Sequence, residues 1–280
     1  MTERRGYIFE DRAAENERLL AQGKIFDPLT RRLLIEAGLT PGMRVLDLGS
    51  GAGNVAIVAA NLVGPEGAVV GVDRDPNAVE RARRIISDAG HSNIEFRVGD
   101  VQTLDGVEAG FDAVIGRLIL MYLPDPAAAL RQAASRVRPE GMICMHEADL
   151  TYLYSSPPTP LWQQVRAWFL HTLAKARVEP RMGLSLFSVY RAAGLPDPQL
   201  IFETFVAGGP QAPAWGWANV IRGVVPLMER LGIATEAEIA PATLADRLLA
   251  ELLANNGIVI GPPLIGAWST VPPNYRASSP

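Results

Sequence analysis

The sequence predicts an α/β protein built on a doubly wound, mostly parallel, seven-stranded sheet, with N-terminal helices before it and a helical cap in its last third. Three observations carry that reading. Short β-branched runs alternate with helical stretches through the first half of the chain, which implies parallel pairing through right-handed crossovers. The first of those strands runs directly into a glycine-rich turn and a helix at residues 45–54. After Leu150 longer helices interrupt the rhythm before further strands resume it.

Taken in order, the chain opens on a strongly charged stretch over residues 9–22. Ile25, Phe26, Leu29, Leu33 and Leu34 then recur at helical spacing until Gly38 and Pro41 break the pattern. Arg44–Leu48, Ala68–Asp73, Ile94–Val98, residues 113–115 and residues 142–146 read as strands. Helices separate them near residues 55–62, 77–89 and 126–137. Residues 157–176 form a helix whose stripe is Leu161, Val165, Trp168, Phe169 and Leu173. A helix near residues 184–193 and a strand near 199–207 follow, then helices over 215–231 and 243–255 and a last strand over 257–268. The expected organisation is an N-terminal helical lid (1–40), a ligand-binding core (41–150), and the remainder of the sheet with cap helices over a substrate cavity (151–280).

Composition narrows the partners. The 26 basic and 30 acidic residues are interspersed, without a stripe that could neutralise a phosphate backbone, so nucleic acid is not expected. Arg81, Arg83 and Arg84 fall at helical spacing and read as a solvated face. A single cysteine, Cys144, lies in an apolar run, which fits a reduced, cytoplasmic setting. No window approaches the roughly 18 apolar residues of a membrane span, and residues 1–10 lack the apolar core of a signal peptide. Association with a membrane is not expected. A homodimer that exchanges the charged N-terminal segment is compatible with the pattern.

The informative segment is Val45-Leu46-Asp47-Leu48-Gly49-Ser50-Gly51-Ala52-Gly53. Glycines let the backbone turn sharply and let a ligand lie where a Cβ would collide. In an open parallel sheet this turn sits at the carboxyl edge of the strands, where ligands bind. A dinucleotide fingerprint needs a third glycine where this chain has Asn54. Asp47, two positions before the first glycine, would repel a pyrophosphate and suits a cationic ligand instead.

Along residues 41–150 the chain resembles the class I S-adenosylmethionine-dependent methyltransferases, whose Rossmann-like fold matches the order of elements above. The resemblance implies that Gly49, Ser50, Gly51 and Gly53 lie against the methionine part of S-adenosyl-L-methionine, with Asp47 linked to its amino group. It implies that Asp73, roughly 20 residues after the turn, accepts from the ribose hydroxyls and that Arg74 lies along the adenine. Asp100 and Val101 would border the adenine amino group. Phe111-Asp112-Ala113-Val114-Ile115-Gly116-Arg117 matches the fourth strand, so that Arg117 ends beside the transferable methyl. The product would be S-adenosyl-L-homocysteine.

The acceptor is narrowed by departures from subgroups. Gly116-Arg117-Leu118-Ile119 stands where enzymes acting on exocyclic nitrogens of DNA or glutamine carry Asn-Pro-Pro and an aromatic residue. No carboxylate cluster of the catechol type is present at that strand end, so no metal is expected. What remains resembles the small-molecule methyltransferases of quinone and natural-product pathways, although Tyr122 stands where many members have His. Methyl transfer to a nucleophile needs alignment and, where the nucleophile carries a proton, a base. His146, at the end of the fifth strand, is the leading candidate, with Glu147 and Asp149 to orient it or serve instead; Tyr7 is placed in the lid over the cofactor. His171 lies on the helix over residues 157–176. Trp162, Trp168, Trp215, Trp217 and Phe187 in the expected cap favour an aromatic or hydrophobic acceptor. The alternative is a cyclase or sensor of methyltransferase ancestry that binds the cofactor without transferring its methyl.

Overall fold

The structure, a computed structural model, describes Ile8 and residues 12–275. The elements in chain order are α1 (Arg12–Glu36), β1 (Arg44–Leu48), α2 (Asn54–Val63), β2 (Ala68–Asp73), α3 (Pro76–Asp88), β3 (Ile94–Val98) and β4 (Phe111–Arg117). A 3-10 turn at Leu120–Tyr122 leads to α4 (Pro126–Arg136), β5 (Val137–Ala148), β6 (Ser155–Ser156), α5 (Pro160–Lys175), α6 (Met182–Ala192), β7 (Gln199–Glu203) and β8 (Val206–Gly208). The chain continues through α7 (Ala214–Arg230), α8 (Glu236–Ile239), α9 (Leu244–Ala254), β9 (Ile258–Ile260) and β10 (Leu264–Thr270).

Seven strands form one sheet, the number that the sequence predicts, in the order β3-β2-β1-β4-β5-β10-β7. The pairs from β3 to β5 are all parallel. Because the order reverses beside β1, the carboxyl ends of β1 and β4 border the crevice where such sheets bind ligands. Helix starts follow local chemistry: Asp75 caps α3 by accepting from the Asn77 N–H, and Asp125 caps α4 by accepting from the Ala128 N–H, with Pro76 and Pro126 at the first helical positions.

The chain forms two compact units, each assembled from separate segments. The first contains the sheet, α2, α3, α4 and α6, and α1 from Phe26 onward. One face of its sheet buries Val45, Val69, Phe96, Ala113, Ile115 and Cys144 in a core with Leu33 and Leu34 of α1 and Ala56, Ala59 and Val63 of α2. On the opposite side Tyr190 of α6, fully buried, donates its hydroxyl to the Ala267 carbonyl at 2.8 Å.

The second unit holds α5, α7, α8 and α9 together with an antiparallel sheet, β6-β9-β8, that the sequence reading does not anticipate. Its strands have only two or three residues, too few for periodicity to register. The single strand expected over residues 257–268 is in fact two, β9 in the small sheet and β10 in the large one. Gly261-Pro262-Pro263 separates them, since proline cannot donate to a ladder. The strand expected near 199–207 divides likewise into β7 and β8. β5 begins five residues earlier than expected, and the register shift between Phe111 and Ala113 absorbs Arg138, Pro139, Glu140 and Gly141 as a bulge.

Candidate cofactor and active site

The turn after β1 is strapped to the neighbouring strand. Gly49 N–H and Ser50 N–H both donate to the Val72 carbonyl, at 2.8 and 3.1 Å, and Gly53 N–H donates to the Ser50 carbonyl. Gly49, Gly51 and Gly53 all have positive φ, 66°, 53° and 88°, which only glycine adopts without strain. A Cβ on Gly53 would stand 2.7 Å from Cζ of Phe96, whereas one on Gly51 would meet nothing within 4 Å. The space above Gly51 is therefore open for a ligand to approach the main chain.

Asp47 lies at this turn, 1% exposed; the Ala56 N–H stabilises its charge weakly, and neither carboxylate oxygen has a hydrogen-bond partner within 3.5 Å. Burial pushes its pKa up to about 8; Arg117 opposes the rise and Asp73 adds to it. A buried carboxylate without donors is costly. It is also the group that an ammonium would satisfy, so the residues present fit the cationic amino-acid part of S-adenosylmethionine. Ser50 Oγ is a second buried polar atom with no partner at the same turn.

Asp73, at the end of β2, accepts from Gly51 N–H through Oδ2 and from Asp75 N–H through Oδ1, both at 2.9 Å. It thus braces the glycine turn, and each oxygen retains a lone pair for a hydroxyl. Arg74 is exposed. Asp100 is exposed and accepts from Gln102 N–H at 2.9 Å, while Val101 beside it is buried.

Strand register explains how the next group assembles. Arg117 pairs with His146 across β4 and β5, so the two side chains leave the sheet on the same face, the one covered by α1 and α2. Arg117 Nη1 donates to Asp27 Oδ1 at 3.0 Å and to Thr30 Oγ1 at 2.7 Å. Burial lowers the Arg117 pKa and raises that of Asp27, in each case against the attraction of the other. Asn54 also bonds to the Asp27 side chain. Thr30 Oγ1 lies 3.2 Å from His146 Nδ1. The Thr30 hydroxyl has one proton, which it donates to the Phe26 carbonyl at 3.0 Å. With that proton committed, Nδ1 of His146 carries the hydrogen and donates to Thr30. Nε2 is then left as a bare acceptor, buried and without a partner.

This geometry sets the charge state of His146. Burial, with Arg117 nearby, pushes its pKa down to about 3, so near neutrality the ring is neutral: Nδ1 keeps its hydrogen and Nε2 can only accept. Thr30, not Glu147 or Asp149, orients it. Glu147 is the next residue along β5 and leaves the sheet on the opposite face. Its Oε1 accepts from Ile119 N–H and Leu120 N–H at 2.9 and 2.8 Å, Oε2 has no partner within 3.5 Å, and burial raises its pKa to about 7 against the amides of Leu120, Ile119 and Met121. Asp149 accepts from Thr151 in the second unit. Tyr7 lies outside the described residues. His171 is exposed on α5.

Sequence reasoning missed Asp27 and Thr30. A usable signal was present: both are polar residues set among Phe26, Leu29, Leu33 and Leu34 on the apolar face of α1. Of the five aromatic residues expected to line a cavity, Trp162 and Trp217 are core, Trp168 is half-buried, and Trp215 and Phe187 are exposed. Trp162, Trp217 and Phe169 are buried, Trp217 stacks on Tyr154 with centroids 3.5 Å apart, and Phe169 meets Trp217 edge-on. Phe187 lies on α6 in the sheet unit. Among the described residues no group of three or more His, Cys, Asp or Glu side chains could hold a metal ion, and no helix is long and apolar enough to cross a membrane.

A family model described as a methyltransferase domain matches residues 39–179. The arsenite methyltransferase of Halobacterium salinarum is 33% identical over 115 residues, covering 41% of this chain and 29% of that protein. The nocamycin O-methyltransferase of Saccharothrix syringae is 28% identical over 242 residues, covering 76% of this chain and 82% of that protein. The crystal structure of the [4+2]-cyclase SpnF shares the fold, with a TM-score of 0.52 at 16% identity over 88% of this chain and 81% of the cyclase. The chain spans 29%, 59% and 50% of the length of three curated relatives that it matches.

Proposed function

Because the chain belongs to the methyltransferase-domain family, whose model spans half of it, we propose that it binds S-adenosylmethionine at the turn of residues 49–53 and transfers the methyl to a small metabolite. The observation that carries the reading is Asp47, a buried carboxylate with no donor within 3.5 Å, at a glycine turn whose central residue leaves open space. When bound, the cofactor supplies an activated sulfonium methyl. The protein's own work is to hold and align. Asp47 receives the ammonium, and the main chain of Gly51 lets the ligand lie close. Asp73 keeps the turn in shape and accepts hydroxyls, while Arg117, fixed by Asp27 and Thr30, sets positive charge at the end of β4.

His146 contributes a hydrogen-bond acceptor, Nε2, that orients a hydroxyl or N–H of the acceptor. Its suppressed basicity favours acceptors that ionise readily, such as enols and acidic phenols, over alcohols that need a strong base. The likeness to nocamycin O-methyltransferase supports a natural-product type of acceptor. Arsenite is disfavoured: a soft centre calls for thiolates, and this chain's one cysteine, Cys144, is buried with its thiol pKa pushed well up.

The test is calorimetric titration with S-adenosylmethionine, S-adenosylhomocysteine and NAD, followed by a screen of enolic and phenolic acceptors for S-adenosylhomocysteine release. Binding of the first two ligands and product release with an acceptor is the expected result. NAD binding alone would end the reading. Binding without methyl transfer to any acceptor would favour a cyclase-type role, a reading kept in view by the shared fold of SpnF.

A further inference from the structure

We propose that Glu147 is a positioning residue: its carboxylate holds the turn after β4 in the conformation that seats Ile119 against the glycine turn of the cofactor site. The inference rests on the cofactor assignment above, and it assigns Glu147 a task other than proton transfer.

The turn needs holding. Leu118 has φ 54°, a left-handed conformation that a γ-branched residue with a Cβ adopts only under strain. Three successive amides in this turn are tied to the end of β5. Leu118 N–H donates to the His146 carbonyl at 3.0 Å, and Ile119 and Leu120 N–H both donate to Glu147 Oε1. Leu120 is fully buried, so water cannot take the place of the carboxylate there.

What the turn presents is Ile119. Its Cδ1 lies 2.5 Å from where a Cβ of Gly49 would be, and its Cγ2 lies 3.1 Å from where a Cβ of Gly116 would be. Ile119 therefore fills the space that two glycines leave between the ends of β1 and β4. If the amides of Ile119 and Leu120 were released, the backbone at Leu118 would relax toward an unstrained conformation. Ile119 would then leave Gly49, and the cofactor turn would lose the side chain packed against it. Alternation along β5 divides the labour: His146 reaches Thr30 and Arg117 on one face of the sheet, and Glu147 reaches the turn on the other.

The experiment compares Glu147→Gln and Glu147→Ala with the wild type. Amide hydrogen exchange at Ile119 and Leu120 is followed in the ligand-free protein, and affinity for S-adenosylhomocysteine is measured by calorimetry. Gln keeps an oxygen able to accept both N–H groups, so protection and affinity are expected within about threefold of wild type. In Glu147→Ala the two amides are expected to exchange about tenfold faster or more, and affinity to fall by about tenfold. Wild-type protection and affinity in Glu147→Ala would overturn the proposal, as would a Gln variant as impaired as the Ala variant. If Glu147→Ala fails to fold, Glu147→Asp, one methylene shorter, takes its place with the same expected losses and the same overturning result. A wild-type protein that does not bind S-adenosylhomocysteine would sink the cofactor assignment, while the exchange data would still judge the clamp.

Discussion

Two regions of the sheet unit treat charge in opposite ways. Where β1, β4 and β5 begin, and along the side of β3, charged groups are partly exposed and matched to one another. Asp112 accepts from Arg44 N–H at 2.7 Å and pairs with Arg138 at 2.5 Å. Glu108 binds Arg44 and, at 2.5 Å, Arg97, which also pairs with Glu95 at 2.7 Å. Arg44 lies over the Phe111 ring. At the carboxyl ends of β1 and β5 the polar groups are buried and several have unmet valence: both oxygens of Asp47, Ser50 Oγ, His146 Nε2 and Glu147 Oε2. The first arrangement serves the fold. The second costs stability, and a site built for a ligand explains why it is kept.

Asp47→Asn breaks the contrast most sharply. Removing the buried charge is expected to raise the melting temperature of the ligand-free protein at pH 8 and to weaken S-adenosylhomocysteine binding by about 2–3 kcal/mol, the worth of a hydrogen bond to a charged group. Thermal melts and calorimetry on the same samples read both effects. The pH dependence has a definite sign. The folded state keeps the Asp47 proton up to about pH 8, whereas the unfolded chain releases it near 3.8; Glu147 behaves alike between 4.5 and about 7. Folding takes up protons on these two groups, opposed below about pH 6.5 by His146, whose folded pKa of about 3 makes the unfolded chain the better proton binder there. Ligand-free stability should therefore fall as pH rises, most steeply between about 6.5 and 8. Saturating cofactor should flatten that fall, and an unchanged slope in Asp47→Asn would show that Asp47 is not its source.

Asp73→Ala tests a group with both kinds of duty. It would strip acceptors from Gly51 and Asp75 N–H and from the expected ribose hydroxyls, so affinity should drop by about 1–3 kcal/mol with a parallel loss of stability. Loss of stability with unchanged affinity would assign Asp73 to the fold alone. His146→Ala should leave cofactor affinity nearly intact and slow methyl transfer by about tenfold, the effect of one hydrogen-bond acceptor. A rate loss of about a thousandfold would instead mark His146 as a true base, against its suppressed basicity.

The elements that the sequence displays most openly are those whose logic is local. The five strands from β1 to β5 and the helices between them follow from period and punctuation. Asp47 and the three glycines follow from fixed spacing around one turn, and Asp73 from the family resemblance that this turn carries. What escaped notice depends on contacts made far along the chain. Thr30 meets His146 across 116 residues and Asp27 meets Arg117 across 90, and no local pattern announces such pairs. The partners of His146 and Glu147 are hidden for a related reason: adjacency in sequence suggests that Glu147 orients His146, but adjacency in a strand sends the two side chains to opposite faces. The break between β9 and β10 could have been seen, because two consecutive prolines cannot sit inside a strand.

The smallest expected effect lies on the paired side of the comparison. Glu95→Ala removes one carboxylate from Arg97, but Glu108 continues to hold that guanidinium, and the Glu95 side chain is 59% exposed. Exposed pairs of this kind contribute about 0–1 kcal/mol, so the melting temperature should move by only a degree or two and cofactor affinity not at all. The pH sign reverses relative to Asp47. Arg97 draws the pKa of Glu95 below its ordinary value, so its contribution is present above about pH 4.5 and is lost as pH falls further. A melt series on Glu95→Ala should therefore differ from wild type only above that pH and converge with it in acid. If Glu95→Ala instead altered cofactor binding, the two regions would be coupled, and the division between charges that hold the fold and charges that await a ligand would have to be abandoned.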